Sequence, residues 1–251
     1  MKKGTAFIGA FLVMIICSSP IAAAEKGKVG PWVKINEKDG IVAYARDNSR
    51  VPLKEGRCVG VINSSAENIE NMMRDWDAYL KVLFMAKEAH PATGPFCKPG
   101  PDTYCAYLRQ GAPWPVEDRD GYGTLNFYVD KPTGEVLVKV TVGENTMPLT
   151  KNVTRLPFCE MEWMIRPIDA NHCLVVYQLM MVPGGSIDKL PKSVINWSMK
   201  HFGILTFENI RKLAKQDKYK HAKGYITKTD WPADLRYYIE DINTSDYKIQ
   251  K

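Results

Sequence analysis

The segment Leu190 to Lys215, LPKSVINWSMKHFGILTFENIRKLAK, constrains the fold more than any other stretch. At about 100° per residue, Ile195, Met199, Phe202, Thr206, Ile210 and Leu213 fall on one side of a helix, and Asn196, Lys200 and Arg211 on the other. Pro191 suits its first turn, where a missing N–H costs nothing. A long one-sided helix needs an apolar surface to lie on. Most of the chain before it reads as strands, and a curved sheet buries its concave face only if something covers it. Whether this helix packs flush or leaves a void decides what the protein can do.

The strand signals come in order. Trp32–Asn36 and Ile41–Arg46 flank an Asp39-Gly40 hairpin turn, and Arg57–Ile62 is a third strand. Asn63-Ser64-Ser65 offers N-caps for a helix over Ala66–Arg74, and a second short helix or turn follows near Asp77–Phe84. Glu88–Gly111 reads as a hairpin with a Pro/Gly-rich tip. The prolines of Pro113–Asp120, PWPVEDRD, exclude regular structure and fix an extended approach. Then Leu125, Phe127 and Val129 alternate with Thr124, Asn126 and Tyr128, and Val136, Val138, Val140 and Val142 alternate with Leu137, Lys139 and Thr141. Strands at Asn152–Leu156, Cys159–Arg166 and Leu174–Val182 complete the series. The order predicts an α+β fold with an antiparallel sheet and segregated helices. Residues 218–251 read as a charged C-terminal extension with one more helix at Trp231–Ile242 and a loosely held end.

Residues 1–24 carry the pattern of a signal peptide: Lys2-Lys3, an apolar run from Ala6 to Ile16, and Ala22-Ala23-Ala24 as a cleavage site. Export predicts an oxidising compartment, in which Cys97 and Cys105 around KPGPDTY suit a disulfide. The five cysteines beyond the leader include no Cys-x-x-Cys, which argues against a zinc ribbon. The formal charge of +6, lowered on loss of Lys2 and Lys3, is mildly basic; it suits an anionic membrane surface and does not point to nucleic acid.

Several motifs in this order resemble those of the START (StAR-related lipid-transfer) domains. They are PWPVEDRD, which looks like the family's proline-led approach to an Arg-Asp pair, Met147-Pro148 with Lys151 and Arg155 after the central hairpin, Trp163 with Arg166-Pro167, and GGSIDKLPKSVINWSMK leading into the long helix. The resemblance spans Trp32 to Lys215 and places the domain at residues 25–217. It implies a helix-grip fold, a curved antiparallel sheet wrapped on the C-terminal helix around a hydrophobic tunnel. It also implies one lipid-like ligand per domain, no cofactor, and a lid near Glu144–Lys151. Sterol carriers of the family often hold a buried acid–arginine pair. Here the strand Tyr104–Gln110 lacks the acid and Leu125 stands at the arginine position, which argues against a sterol. Exported bacterial members fit this architecture, so the resemblance implies a monomeric periplasmic carrier that touches membranes transiently.

The expected tunnel wall is Ile195, Met199, Phe202 and Thr206 on the helix, with Leu125, Phe127, Val138, Val140, Met161 and Trp163 on the sheet. Met147 and Leu149 are the expected lid contacts. No Gly-x-Ser-x-Gly, His-Glu-x-x-His, P-loop or Rossmann fingerprint occurs, and the four histidines are scattered. The alternative is a cyclase- or hydrolase-like enzyme on a hydrophobic small molecule, with Tyr107 or Arg109 as its polar group. A pocketless scaffold using the C-terminal extension is a third reading. Arg119 is expected to tie the Pro-Trp-Pro segment to the sheet through charge-assisted hydrogen bonds.

Overall fold

A computed structural model describes residues 28–112, 116–185, 192–238 and 242–249. The leader, Trp114 with its flanking prolines, and the helix approach through Pro191 lie outside the described residues. Strands β1 (Val33–Lys38), β2 (Ile41–Arg46) and β3 (Glu55–Ile62) come first, followed by helices α1 (Ala66–Met73) and α2 (Trp76–Val82). Seven strands follow: β4 (Ala86–Pro91), β5 (Thr103–Gln110), β6 (Asp118–Asp130), β7 (Glu135–Val142), β8 (Val153–Arg155), β9 (Phe158–Asp169) and β10 (His172–Val182). Helix α3 spans Lys192–Leu213.

The strands form one sheet in the order β1-β2-β3-β10-β9-β7-β6-β5-β4. All of these neighbours are antiparallel, and β8 adds to β6 in parallel. Local chemistry explains much of the path. Asp39 and Gly40 both have positive φ, 50° and 67°, as a tight hairpin turn with the twist of its strands requires. Ser65 caps α1 by accepting from Asn68 N–H at 3.3 Å. Strand β6 begins at Asp118, inside the stretch expected to be irregular. Arg119 pairs there with Gln110 on one side and Thr154 on the other. Two ready-made partner edges override the local proline signal.

Helix α3 lies across the concave face. Its C-terminal half buries Ile204, Phe207, Ile210 and Leu213 in the main core. The closest approach is at Gly203, where an added Cβ would overlap the Cys58 sulfur of β3. Gly60, two residues on, faces the Phe207 ring, with 3.3 Å from a built Cβ to its nearest carbons. Arg211 clamps the helix end by donating to Asp39 O at 2.7 Å and to Val61 O at 2.9 Å.

The outer face of the sheet is covered too. The chain after α3 is not loosely held where it is described. Thr229 O accepts from Val129 N–H at 2.9 Å, and Trp231 N–H donates back to Val129 O at 3.1 Å. Trp231 and Ile242 are buried with Leu137, Met164, Leu174 and Val176 in a second core. Arg166 donates to Ile242 O at 2.9 Å, and the Tyr247 hydroxyl meets that of Tyr44 at 3.2 Å. The strap thus runs from β6 to β2. At Trp231–Ile242 the expected α-helix is instead a 3₁₀ helix over Ala233–Tyr238, and residues 239–241 lie outside the described residues.

Buried charges fasten the start of this strap. Glu70, fully buried on α1, accepts from Arg74 at 2.9 Å and from the backbone N–H groups of Ile226 and Thr227 at 2.9 Å each. Asp102 accepts from Arg74 at 2.8 Å and from the N–H groups of Lys228 and Thr229 at 2.9 Å each. Burial works to raise the Asp102 carboxyl. Hydrogen bonds from Lys228, Thr229 and Arg74 outweigh it and hold the group below the usual carboxylate range.

Two outcomes follow. Gly203→Ala should destabilise the protein by about 1–3 kcal/mol through overpacking, and Cys58→Ala in the same chain should recover part of that loss. Urea denaturation of the two single variants and the double variant measures the coupling. A carboxyl whose pKa is depressed on folding stabilises above its unfolded value of about 3.9 and loses that contribution as pH falls through the folded value. Asp102→Asn should therefore lower the urea midpoint at neutral pH, and its deficit against wild type should shrink below about pH 4.

Candidate functional site: the cavity under the long helix

The N-terminal half of α3 is only half-buried, because the sheet recedes beneath it. A cavity of about 170 Å³ opens there, bordered by Ile195, Ser198, Met199, Phe202 and Gly203 from the helix and by Gly56, Cys58, Tyr177 and Leu179 from the sheet. A second cavity of about 60 Å³ continues toward α2 and the inner face of β5, β6 and β7. Six residues border both: Gln110, Arg119, Leu156, Tyr177, Leu179 and Met181. An apolar cavity of roughly 150 Å³ is already enough to hold a benzene-sized ligand. The larger one therefore accepts a ring or a short chain without rearrangement, and a longer ligand requires movement.

The strand pattern explains the lining. Arg119, Gly121, Gly123 and Leu125 share the inner face of β6. An added Cβ at Gly121 would come within 2.8 Å of Val142, and one at Gly123 would overlap Thr141 O. Only glycine permits this close approach of β6 and β7. Between Arg119 and Leu125, β6 therefore projects no side chain inward. On β10 the inner positions are Tyr177, Leu179 and Met181.

The structure separates the expected wall residues into two groups. Ile195, Met199 and Phe202 border the larger cavity, and Leu125, Val140 and Met161 the smaller. Phe127, Val138, Trp163 and Thr206 are buried but border neither; Trp163 stacks on Tyr177 at 4.1 Å and is core. Tyr107 borders the smaller cavity, yet its hydroxyl donates to Asp120 at 3.3 Å, on the other side of the sheet from Arg119. Arg109 lies outside, paired with Asp118 at 2.7 Å and Glu88 at 3.0 Å. Neither of the two proposed enzymatic groups projects its polar atoms into the cavity.

The Glu144–Lys151 loop is held from the outer side. Arg155 donates to Asn145 at 3.1 Å and to Pro148 O at 2.8 Å, while pairing with Asp120 at 2.7 Å. Met147 packs toward Gly94 in the β4–β5 tip, and Leu149 is 77% exposed. Neither borders the described cavities. Cys97 and Cys105 form a disulfide between that tip and β5. Cys58, Cys159 and Cys173 are free and buried. Burial pushes the Cys58 and Cys159 thiols up to about 12, so they stay protonated and unreactive.

The charged residues bordering the larger cavity are Lys54, Arg57 and Arg119, and Arg119 alone of them also borders the smaller one. Arg119 is 9% exposed and donates to the backbone carbonyls of Glu117, Pro183 at 3.4 Å and Gly184 at 3.3 Å. Burial lowers its pKa, partly offset by Glu117 and Asp118. The Tyr79 hydroxyl of α2, beside the smaller cavity, is buried with no hydrogen-bond partner. The Pro-Trp-Pro segment that Arg119 was expected to tie to the sheet lies outside the described residues; its described acceptors are the carbonyls of Glu117, Pro183 and Gly184, and its inward face was missed. The signal was available in parity, since Arg119 is six residues before Leu125 on an alternating strand. Among the described residues, no group of three or more His, Cys, Asp or Glu side chains could hold a metal ion.

A curved antiparallel sheet gripping a C-terminal helix over an apolar cavity defines the helix-grip class. No family model matches the chain. It is similar to the crystal structure of a STAR-related lipid transfer protein from Xanthomonas axonopodis, at 26% identity and a TM-score of 0.63, over 74% of this chain and 99% of that one. It is also similar to human StAR-related lipid transfer protein 5, at 15% identity and a TM-score of 0.65, over 74% of this chain and 86% of that one. An uncharacterized protein of Pseudomonas aeruginosa is 22% identical over 209 residues, 83% of this chain and 98% of that protein. The chain carries a START-like domain with the helix-grip fold.

Met199→Trp should fill the larger cavity from the helix side and lower uptake of a fluorescent fatty acyl probe by tenfold or more, with the urea midpoint little changed. Uptake equal to wild type in a folded variant would remove Met199 from the wall.

Proposed function

We propose that this protein is a carrier: it takes up a lipid or other hydrophobic small molecule in the paired cavities, which join as a tunnel, and moves it between membranes in the bacterial periplasm. The observation that carries this reading is an apolar cavity of about 170 Å³ beneath a half-buried helix in a START-like domain. Transfer of a chain or ring from water into such a site gains about 25 cal/mol per Å² of apolar area buried. A membrane offers a similar gain, so uptake and release lie near balance.

A route from surface to cavity supports exchange at a membrane. Phe202 borders the larger cavity, Phe84 lies 5.2 Å from it, and Trp197 lies 6.5 Å from Phe84 and is 45% exposed. Phe84 and Trp197 line a surface hollow with Met85, Ser193 and Val194, and Phe202 lies between that hollow and the larger cavity. Exposed tryptophan at such a mouth suits the interface of a bilayer. The cavity lining argues for binding rather than turnover. Among its described residues there is no histidine and no carboxylate, the commonest general acids and bases. The lid role of Met147 and Leu149 remains part of the proposal, with Leu149 exposed as a membrane contact.

Native mass spectrometry of the exported protein, with extraction of what co-purifies, tests the carrier reading. A stoichiometric lipid is the expected result, and a protein that is empty and takes up no lipid probe would refute it. Trp197→Ser should slow transfer of a fluorescent acyl probe between vesicles several-fold while leaving its equilibrium affinity unchanged. An unchanged transfer rate would remove Trp197 from the membrane contact.

A further inference from the structure

We infer that the ligand is an amphiphile with a single anionic group, a carboxylate or a phosphate, and that Arg119 holds this group where the two cavities meet. The inference rests on the carrier reading and narrows its ligand class.

Arg119 is 9% exposed as a residue, yet among the described residues no carboxylate lies within 4.0 Å of its guanidinium. Its hydrogen bonds go to backbone carbonyls, and those to Pro183 and Gly184 are long at 3.4 and 3.3 Å. Five N–H donors are available on a guanidinium, so capacity remains. The nearby acids are committed elsewhere. Glu117 accepts from Thr154 at 2.9 Å. Asp118 holds Lys87 at 2.8 Å and Arg109 at 2.7 Å. Asp120 holds Arg155 at 2.7 Å and Thr150 at 3.0 Å. A buried cation with no carboxylate in contact, offset only at longer range by Glu117 and Asp118, is costly unless something completes the pair.

The surroundings specify what would complete it. Arg119 borders both cavities, and the inner face of β6 beyond it carries only Gly121 and Gly123 before Leu125. No protein side chain on that strand therefore shields the guanidinium from a ligand. The neighbours shared by the two cavities include the neutral polar groups of Gln110 and Tyr177 and the apolar chains of Leu156, Leu179 and Met181. A planar fork in an apolar setting matches a carboxylate or phosphate bidentately. Apolar space on either side of it suits a hydrocarbon chain. An uncharged alcohol or sterol would leave the charge unmatched.

Binding of oleate, oleoyl lysophosphatidate and oleyl alcohol to the full-length protein, followed by calorimetry, tests this. Wild type should bind at least one of the two anions more tightly than the alcohol, and which one it prefers separates the carboxylate from the phosphate source. Arg119→Met should weaken the preferred anion about 10–100-fold, the usual worth of one charge-assisted contact, and leave the alcohol unchanged. Arg119→Lys should retain part of the preference. Equal loss for anion and alcohol, or no loss for the anion, would overturn the inference and reduce Arg119 to a tie for Pro183 and Gly184. If the variants do not fold, wild type alone decides. Oleate affinity should fall as pH drops through the acid's own ionisation while alcohol affinity stays flat, and parallel curves would overturn the inference. Wild type binding the alcohol but neither anion refutes this inference and leaves the carrier reading standing. Binding of none of the three refutes the carrier reading itself.

Discussion

The contact between Gly203 and Cys58 sets the geometry of the whole inner face. At this point the backbone of α3 approaches β3 so closely that no side chain fits between them. Beyond Gly203 the helix packs flush, with Ile204, Phe207 and Ile210 buried among inner-face residues of the sheet. Before it the sheet curves away, and Ile195, Met199 and Phe202 cover open space. One continuous helix thus serves as core in its second half and as roof in its first. A bulkier residue at 203 would lift the helix everywhere and remove that distinction.

The charged groups follow the same division between inside and outside. Asp118 and Asp120 alternate with Arg119 along β6, so two acids are paired on one face while their basic neighbour faces the cavities. Arg74 instead has Glu70 and Asp102 as partners and a Phe127 ring 4.2 Å beneath it. It serves the attachment of the C-terminal strap. Two buried arginines on the concave side thus have opposite circumstances: Arg74 is matched by two carboxylates, and the contacts of Arg119 among the described residues are carbonyl dipoles.

Much of the fold was legible because its signals are local. Alternation over Leu125–Val129 and Val136–Val142 set the inner face of β6 and β7, and the 3.6-residue stripe set the side of α3 that faces the sheet. The disulfide pair could be read from turn composition between Cys97 and Cys105. What alternation does not encode is depth. Leu125 and Phe127 share one face, yet only the first borders a cavity, because the position of the void depends on the approach of β6 to β7 at Gly121 and Gly123. Arg109 was misplaced, and the hydroxyl of Tyr107 turns away from the cavity its ring borders, for a related reason: in a strand with polar residues on both sides, parity is ambiguous until partners are known. The strap was also hidden. Its residues are too polar to announce themselves, although the nearly unbroken apolar run of β10, Leu174–Val182, interrupted by Gln178, already indicated a strand covered on both faces.

That second covering layer has a mechanical consequence. From Val129 on β6 to Tyr44 on β2, the outer side of the sheet is braced by the chain that follows α3. A braced sheet cannot flatten to make room for a larger guest. The sheet is the braced wall of the cavity, and among the described residues the half-buried front of α3, before the contact of Gly203 with Cys58, is the wall without a second layer behind it. Room for anything larger than the resting cavity has to come from that wall rather than from the sheet.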